Sequence, residues 1–596
     1  MLALKATPDH MRNIAAPENI LVLGIYLASE PNNVDEIVTR LSQATNYNIT
    51  QRWVAVGGQP PTERVAEVTV SAIYDKGPKF QLLNGLLAKE DLAEYEYVLI
   101  IDDDIVLPDQ FVDRFLPLQS CLGFSIAQPA RTGNSYLDHP IVEQQWGVAA
   151  RQTLFVEIGP VVSFRRSIYD LVFPFDLASS MGWGYENVWS YLLAQRNMKM
   201  GIIDVLPVEH SLRKPVAHYG WERADTERVA FLSKHEHLPL EDCFRVLDVI
   251  SSEGGKSQKG ARGIASTAPR MSVVIPTYNR GELLKSSLES LVRQSLPKDQ
   301  YEVIIVDDGS TDATPDICRT FSSTLALKYF PLAHSGVSAA KNLGVFAASG
   351  HILLLLNEDD IADQDLLREH LEGHEKNSEE TVAVLGDATW AQSFPVTEIM
   401  TYVSEIEDLR FIPVSSREEQ KFHFNYLRWG RSSFKRSFMV RHGGFKQQLG
   451  LGLEDIELGY RLSKFGLQVI FNHKAVSYKN RPVSYEELCR RFEKQGAFQF
   501  LMSRLHRDPV IQRYCQVNEA TEKWPDMEQN LGEKIRRVHN IEALITSRSD
   551  SSEIELLLRE LRGLYRWTLD AFRMKGLVEA MPPHERRQLL QAPEVN

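Results

Sequence analysis

Cysteine is scarce. The five thiols, Cys121, Cys243, Cys318, Cys489 and Cys515, are far apart in 596 residues, odd in number and without a Cys-x-x-Cys pair. Neither a disulfide framework nor a zinc site is therefore suggested; these read as buried thiols. Long apolar runs are missing too. The longest, such as HILLLLN at His351–Asn357, have the length of a buried strand, well short of the roughly 20 residues a membrane helix needs. The opening MLALKATPDHMRN lacks the apolar centre of a signal peptide, so a cytoplasmic protein is expected. Positive charge is in deficit: 66 Lys and Arg against 79 Asp and Glu leave −13, which argues against a nucleic-acid-binding body.

What is present is ordinary globular composition, 43% apolar and 24% charged, in a chain too long for one core. The stretch SSEGGKSQKGARGIASTAPR, Ser251–Arg270, has linker chemistry. Before it, NILVLGIYLA, RWVAVGG, YVLIIDDDIVLP and GFSIAQPA read as buried strands; after it, MSVVIPTYN, YEVIIVDDGS, HILLLLNEDD and TVAVLGDA do the same, with helical patterns between. This alternation predicts an α/β protein with one mostly parallel, Rossmann-like sheet in each half. Past Asp508, EKIRRVHNIEALI and SEIELLLRELRGLYRWTLDAFRMKGLVEAM carry apolar residues at helical spacing. The expected organisation is residues 1–250, a linker at 251–270, a second domain at 271–508 and a helical C-terminal extension at 509–596. From Leu21 to Asp102 there are 81 residues and from Val273 to Asn357 there are 84, so the halves read as two copies of one architecture.

Both halves place acidic runs at strand ends, where ligands bind in such sheets. Asp102, Asp103 and Asp104 are costly there, because two carboxylates about 4 Å apart near a surface repel by roughly 4 kcal/mol. A cation, a hydrogen-bonding ligand or solvent must offset that repulsion; an acidic turn or helix cap is the plainer alternative.

In the second half VVIPTYNRGELLKSSLESLVRQS, VIIVDDGSTD, GVSAAKNLGVFAASGHILLLLNEDD and GGFKQQLGLGLEDIELGYRLSKFG follow one another between Met271 and His506. They closely resemble glycosyltransferase family 2, the inverting GT-A fold enzymes. Within it they look most like enzymes that build bacterial surface or extracellular polysaccharides, including the chondroitin-polymerase type with two transferase domains. The resemblance implies tandem GT-A domains and hexosyl transfer from a nucleotide-sugar donor, UDP-linked, to a glycan or lipid-linked glycan. A divalent Mn²⁺ or Mg²⁺ would stabilise the departing diphosphate. It implies Pro276, Thr277, Tyr278 and Asn279 along the nucleotide, Asp308 on the base, and Lys341 at the donor site where an arginine is frequent. It makes Asp359 the metal ligand with Glu358 beside it, Asp455 the general base, and Glu454 a hydrogen-bond partner of the acceptor. A helix N-terminus that favours negative charge is the alternative for Glu454, Asp455 and Glu457. Two positions depart from the family: Asn357 replaces an aspartate, and Lys479 replaces a frequent histidine ligand, where an ammonium can neutralise diphosphate directly.

The first half is similar, more weakly, to a glycosyltransferase-like family known only as a domain of unknown function. The similarity rests on IIDDDIVLP, SIAQPARTG, FVEIGPVVSFRRSIYDLV and MGWGYENVWSYLLAQRNMKMGIIDVLPVEH, between Asn19 and His218. It implies Asp102, Asp104 and His210 as metal ligands and Glu186 in the base region, with Asn187 where the second half has Asp455. Trp183 and Tyr185 either stack on an acceptor sugar or belong to the core. Two readings of the whole follow: a bifunctional transferase, or a single transferase whose other domain binds glycan or organises an assembly. The basic EKIRRVHN of the C-terminal helices is either a peripheral contact with a membrane or assembly, or a solvated face.

Overall fold

The computed structural model describes residues 17–74, 77–213, 221–252, 268–407, 427, 429–450, 452–548 and 551–590. The opening segment and most of the linker stretch lie outside the described residues.

The first sheet has nine strands: β1 (Glu18–Leu27), β2 (Tyr47–Val56), β3 (Thr69–Ile73), β4 (Tyr97–Asp102), β5 (Phe124–Arg131), β6 (Val148–Thr153), β7 (Val161–Arg165), β8 (Lys199–Val208) and β9 (Val246–Ser251). Their order is β3-β2-β1-β4-β7-β5-β8-β6-β9. The second has eight: β10 (Met271–Thr277), β11 (Tyr301–Asp307), β12 (Leu327–Pro331), β13 (Ile352–Leu355), β14 (Asp360–Ala362), β15 (Val382–Trp390), β16 (Ser432–Lys435) and β17 (Gln468–Lys479), in the order β12-β11-β10-β13-β16-β15-β17-β14. Each sheet is parallel through its first four strands, is interrupted by an antiparallel strand, β7 or β16, and resumes with a parallel pair, β5–β8 or β15–β17. The short β14–β17 pairing of Asp360 with Lys479 also has a counterpart, a single antiparallel bridge between Val106 and Glu209. The two halves thus share one chain path, to which the first adds the antiparallel β6 and β9, and the fold is α/β with two tandem sheets and a helical extension.

Continuous apolar runs explain the buried strands. Ile20–Leu23 in β1 and Val273–Ile275 in β10 are wholly buried, because helices cover both faces of each sheet. The domains also share a core, in which Phe155 and Phe244 of the first cluster with Val274, Ile304 and Phe438 of the second. Buried Arg436 locks this seam by donating to the carbonyls of Glu241 (2.7 Å), Phe244 (2.8 Å) and its own domain's Ala348 (2.8 Å).

At the C-terminus the helix Tyr485–Leu505 packs along Ser551–Glu579, and Val517–Ser547 packs on the same partner. The first pair touch backbone to backbone at Gly496 and Gly576, where any Cβ would run into the facing helix. Tyr485–Leu505, although it precedes the expected boundary at 508, is therefore fastened to the extension while its other face borders the second domain. Among the described residues no helix is long and apolar enough to cross a membrane.

Candidate active sites

A large cleft opens at the carboxyl ends of the central strands of each domain, about 1270 Å³ in the first and about 890 Å³ in the second. The second brings together Pro276, Thr277, Tyr278, Asp308, Lys341, Glu358, Asp359, Glu454 and Asp455 from across the sequence. Asn279 does not line it; with φ of 51° it shapes the neighbouring turn, its side-chain oxygen accepting from the Thr311 amide at 2.8 Å. Tyr278 is 42% exposed and stacks on His334, with ring centroids 4.3 Å apart. Asp308 accepts from the amides of Ser335 (2.7 Å) and Gly336 (3.0 Å) and lies 2.9 Å from His334. Burial still raises its pKa, although those contacts oppose the rise.

Glu454 and Asp455 open the helix Leu453–Ser463, whose cap Gly452 has φ of 91°, a conformation that suits glycine. Glu454 turns back to accept the Gly452 amide at 2.8 Å. Lys341, 2% exposed, reaches both acids, 2.7 Å from Glu454 and 2.8 Å from Asp455, and its ammonium lies 4.4 Å from the Trp429 ring centre. The other oxygen of Asp455 accepts from the Trp429 amide at 2.9 Å. Burial raises the Asp455 pKa against the pull of Lys341. Burial would lower that of Lys341, but the two carboxylates prevail and raise it. Lys341, expected on the donor, therefore sits against the proposed base.

The acidic cluster opposite is already paired. Glu358 receives Arg280 at 2.6 Å and Asp359 receives Arg481 at 3.2 Å. Asn357 donates to Asp360 at 2.8 Å. Burial, followed by the charge of Asp359, lifts the Asp360 pKa to about 8, so an aspartate in place of Asn357 would face another buried acid. Lys479 lies 5.2 Å from the Trp390 ring centre on the same side. This donor set does not fit a divalent cation, because guanidinium groups occupy its carboxylates.

The first cleft contains Asp102, Asp104, Glu186 and His210. Lys79 holds Asp102 at 2.5 Å, and Arg213 contacts Asp103 and, at 3.3 Å, Asp104. His210 lies 3.3 Å from Asp104 through Nε2, while its buried Nδ1 has no hydrogen-bond partner. Burial would raise the Asp104 pKa, yet His210 and Arg213 bring it down. No three acidic, histidine or cysteine side chains among the described residues converge as a metal site. The first cleft sets a carboxylate beside an imidazole, the donor types of a divalent site that the second cleft lacks, although Lys79 and Arg213 pair with its carboxylates as Arg280 and Arg481 do in the second.

Glu186 follows a left-handed glycine, Gly184 with φ of 97°, and accepts its amide at 3.3 Å, as Glu454 does with Gly452. Its Oε2 is buried without a hydrogen-bond partner among the described residues, and burial lifts its pKa to about 7. Asn187, at the Asp455 position, donates to the Leu238 carbonyl at 2.8 Å. Tyr185 belongs to the core, edge-on to Phe80 and stacked with Phe175, whereas Trp183 lines the cleft. Sequence reasoning missed Glu157. It is 7% exposed, contacts Arg131 and lines the same cleft as Glu186, with its buried Oε1 making no hydrogen bond among the described residues and lying 4.0 Å from His139 Nε2. Its only signal is one acid inside the otherwise buried run FVEIGP.

With this geometry in view, residues 272–424 match the family model for glycosyl transferase family 2. That match lies within the second domain and covers the strands that build its cleft from Pro276 to Trp390. The chain is 30% identical over 248 residues to validoxylamine A glucosyltransferase of Streptomyces hygroscopicus subsp. jinggangensis, covering 36% of this chain and 56% of that protein. It is 27% identical over 266 residues to chondroitin synthase of Escherichia coli, covering 39% and 38%. The chain thus spans about half the length of the first of these relatives and less of the second. Among solved structures, mannosyltransferase PcManGT of Pyrobaculum calidifontis, in complex with GDP-Man and Mn²⁺, aligns with a TM-score of 0.37 at 20% identity, over 53% of this chain and 88% of that one.

Proposed function

We propose that the family 2 domain transfers a hexose from a nucleotide-sugar, UDP-linked, to a growing surface or extracellular glycan with inversion. The observation that carries this reading is Asp455: a buried carboxylate at a helix start, aimed into a cleft that also holds Asp308 and an arginine-rich diphosphate end. Asp455 takes the proton of an acceptor hydroxyl as that oxygen attacks the anomeric carbon, and the bond to the diphosphate breaks on the opposite face. Lys341 opposes the rise that burial imposes on the Asp455 pKa and so favours the ionised form, which can accept the proton. Arg280, Arg481 and Lys479 take up the charge of the leaving nucleoside diphosphate.

The first domain is proposed as a second transferase site, with Glu186 as base because Asn187 cannot accept a proton. Asp104 and His210, with Asp102, would hold a divalent cation, which when bound would offset diphosphate charge. The alternative is that the first domain only binds glycan, and the engagement of Asn187 with a backbone carbonyl favours it. The test is a panel of nucleotide-sugars with Mn²⁺ or Mg²⁺, comparing wild type with Asp104→Ala and Asp455→Ala. Loss of a different sugar transfer in each variant supports two enzymes. Loss in Asp455→Ala alone leaves one enzyme and a binding domain, and no loss in either removes the proposal.

A further inference from the structure

The helix Tyr485–Leu505 crosses the second cleft from one chemical end to the other. Near its start Glu487 holds Arg481 at 2.7 Å, and Arg481 in turn reaches Asp359. Eight residues on, about 12 Å along the helix, the Gln495 amide lies 3.9 Å from where a Cβ of Gly452 would be, beside the helix start that carries Glu454 and Asp455. Between these points Arg490, Arg491 and Lys494 line the cleft, exposed, and none of them forms an ion pair among the described residues.

Other cations of the same wall are neutralised: Arg481 by Glu487 and Asp359, Arg573 by Asp570 at 2.6 Å. Glu486, one turn before Arg490, offsets part of its charge, but Arg490 and Lys494 are themselves one turn apart, a like-charge spacing that disfavours the helix. The glycine contact of Gly496 with the Ser551–Glu579 helix holds this face in place. In a chain of net charge −13, three cations on one wall of one cleft, without an ion pair among the described residues, raise the local concentration of an anion.

We propose that the second cleft takes an acceptor glycan that itself carries negative charge, bound along Arg490, Arg491 and Lys494 so that its terminal hydroxyl reaches Asp455. This rests on Asp455 being the transfer site and adds the acceptor's chemical class. Carboxylates of hexuronic acids and sugar phosphodiesters supply the same charge, so the anionic polymer is the common feature.

The test measures fluorescence anisotropy of the full chain with three labelled oligomers of equal length: an oligouronate, a sugar-phosphodiester oligomer and a neutral oligosaccharide. Wild type is compared with R490A/R491A/K494A and with the charge-keeping R490K/R491K. The expected result is that at least one anionic oligomer binds about tenfold or more tighter than the neutral one at low salt, with the advantage shrinking as salt rises. The triple alanine variant loses that advantage and the lysine variant keeps it, while circular dichroism and UDP binding stay as in wild type. Equal binding of neutral and anionic oligomers, or a triple variant that binds like wild type, overturns the proposal. Binding of anionic-lipid vesicles without binding of any oligomer also overturns it, in favour of a membrane surface. Wild type that binds neither UDP nor GDP overturns the transfer reading instead, which separates the two failures.

Discussion

The helices that begin at Tyr185 and Leu453 start identically and then diverge. Each is capped by a glycine with strongly positive φ, and each places a glutamate that accepts that glycine's amide. One residue later the first domain has Asn187, donating to a carbonyl, and the second has Asp455, paired with Lys341. The acidic clusters diverge in the opposite sense. In the first, a histidine faces Asp104 while Lys79 and Arg213 pair with Asp102 and Asp103; in the second, Arg280 and Arg481 pair with Glu358 and Asp359 and no histidine joins them. Backbone geometry is thus retained where the groups that move protons or offset diphosphate charge have been exchanged. Capping depends on the local chain, whereas the chemistry depends on what lies across the cleft.

The sharpest way to break this comparison is Asp455→Asn, which makes the second domain resemble the first. Transfer of its sugar should fall by about 10²–10⁴-fold, with nucleotide affinity unchanged; a variant retaining most of its rate would remove Asp455 as the base. In that background, His210→Ala or a chelator should lower any remaining first-domain transfer by at least about tenfold. A chelator should leave the second domain's rate, measured in an Asp104→Ala chain, nearly unchanged. Equal metal dependence of both would erase the contrast between the clusters.

The pH dependence sharpens the comparison further. With its pKa at about 7, Glu186 is protonated below neutrality and can take a proton only above it. First-domain transfer should therefore climb with pH through about 7, and Glu186→Gln should abolish both the rate and that limb. Stability runs the other way. The folded chain holds this proton more tightly than an unfolded one near the ordinary 4.5, so the contribution is full below about 4.5 and lost as pH rises through about 7. Denaturant midpoints at pH 5 and pH 8 should differ less in Glu186→Gln than in wild type. The smallest effect expected is that of Asn187→Asp, which sets a buried carboxylate against the Leu238 carbonyl. It should cost roughly 1–3 kcal/mol of stability, visible as a lower Tm, without creating a second-domain-like base, since no lysine equivalent to Lys341 is paired there.

Much of the fold was legible. Uninterrupted apolar runs such as ILVLGIY and SVVIP mark strands buried on both faces, and acids at the ends of such runs mark clefts. The antiparallel strands β7 and β16 and the three-residue β14 were not marked in the same way, because their place depends on neighbours far along the chain. Tyr185 shows the limit for side chains. Its neighbours along the chain suit an acceptor platform equally well, and only the approach of Phe80 and Phe175 assigns it to the core. Glu157 shows the reverse: no motif surrounds it, and its burial becomes notable only beside Glu186 in the same cleft.

The sequence by itself determined the two α/β halves, the helical extension and the residues from which both clefts are made. Those follow from periodicity and from glycine and acid placement over a few residues. Tertiary structure decided what each of those residues does: that Lys341 serves Asp455, that Arg280 and Arg481 fill the second acidic cluster, and that Arg490, Arg491 and Lys494 form a cleft wall. Charge interactions act over a few ångströms of space irrespective of distance along the chain, so the pairing of residues 113 and 114 positions apart, as between Lys341 and its two acids, is set only when the strands and helices have met.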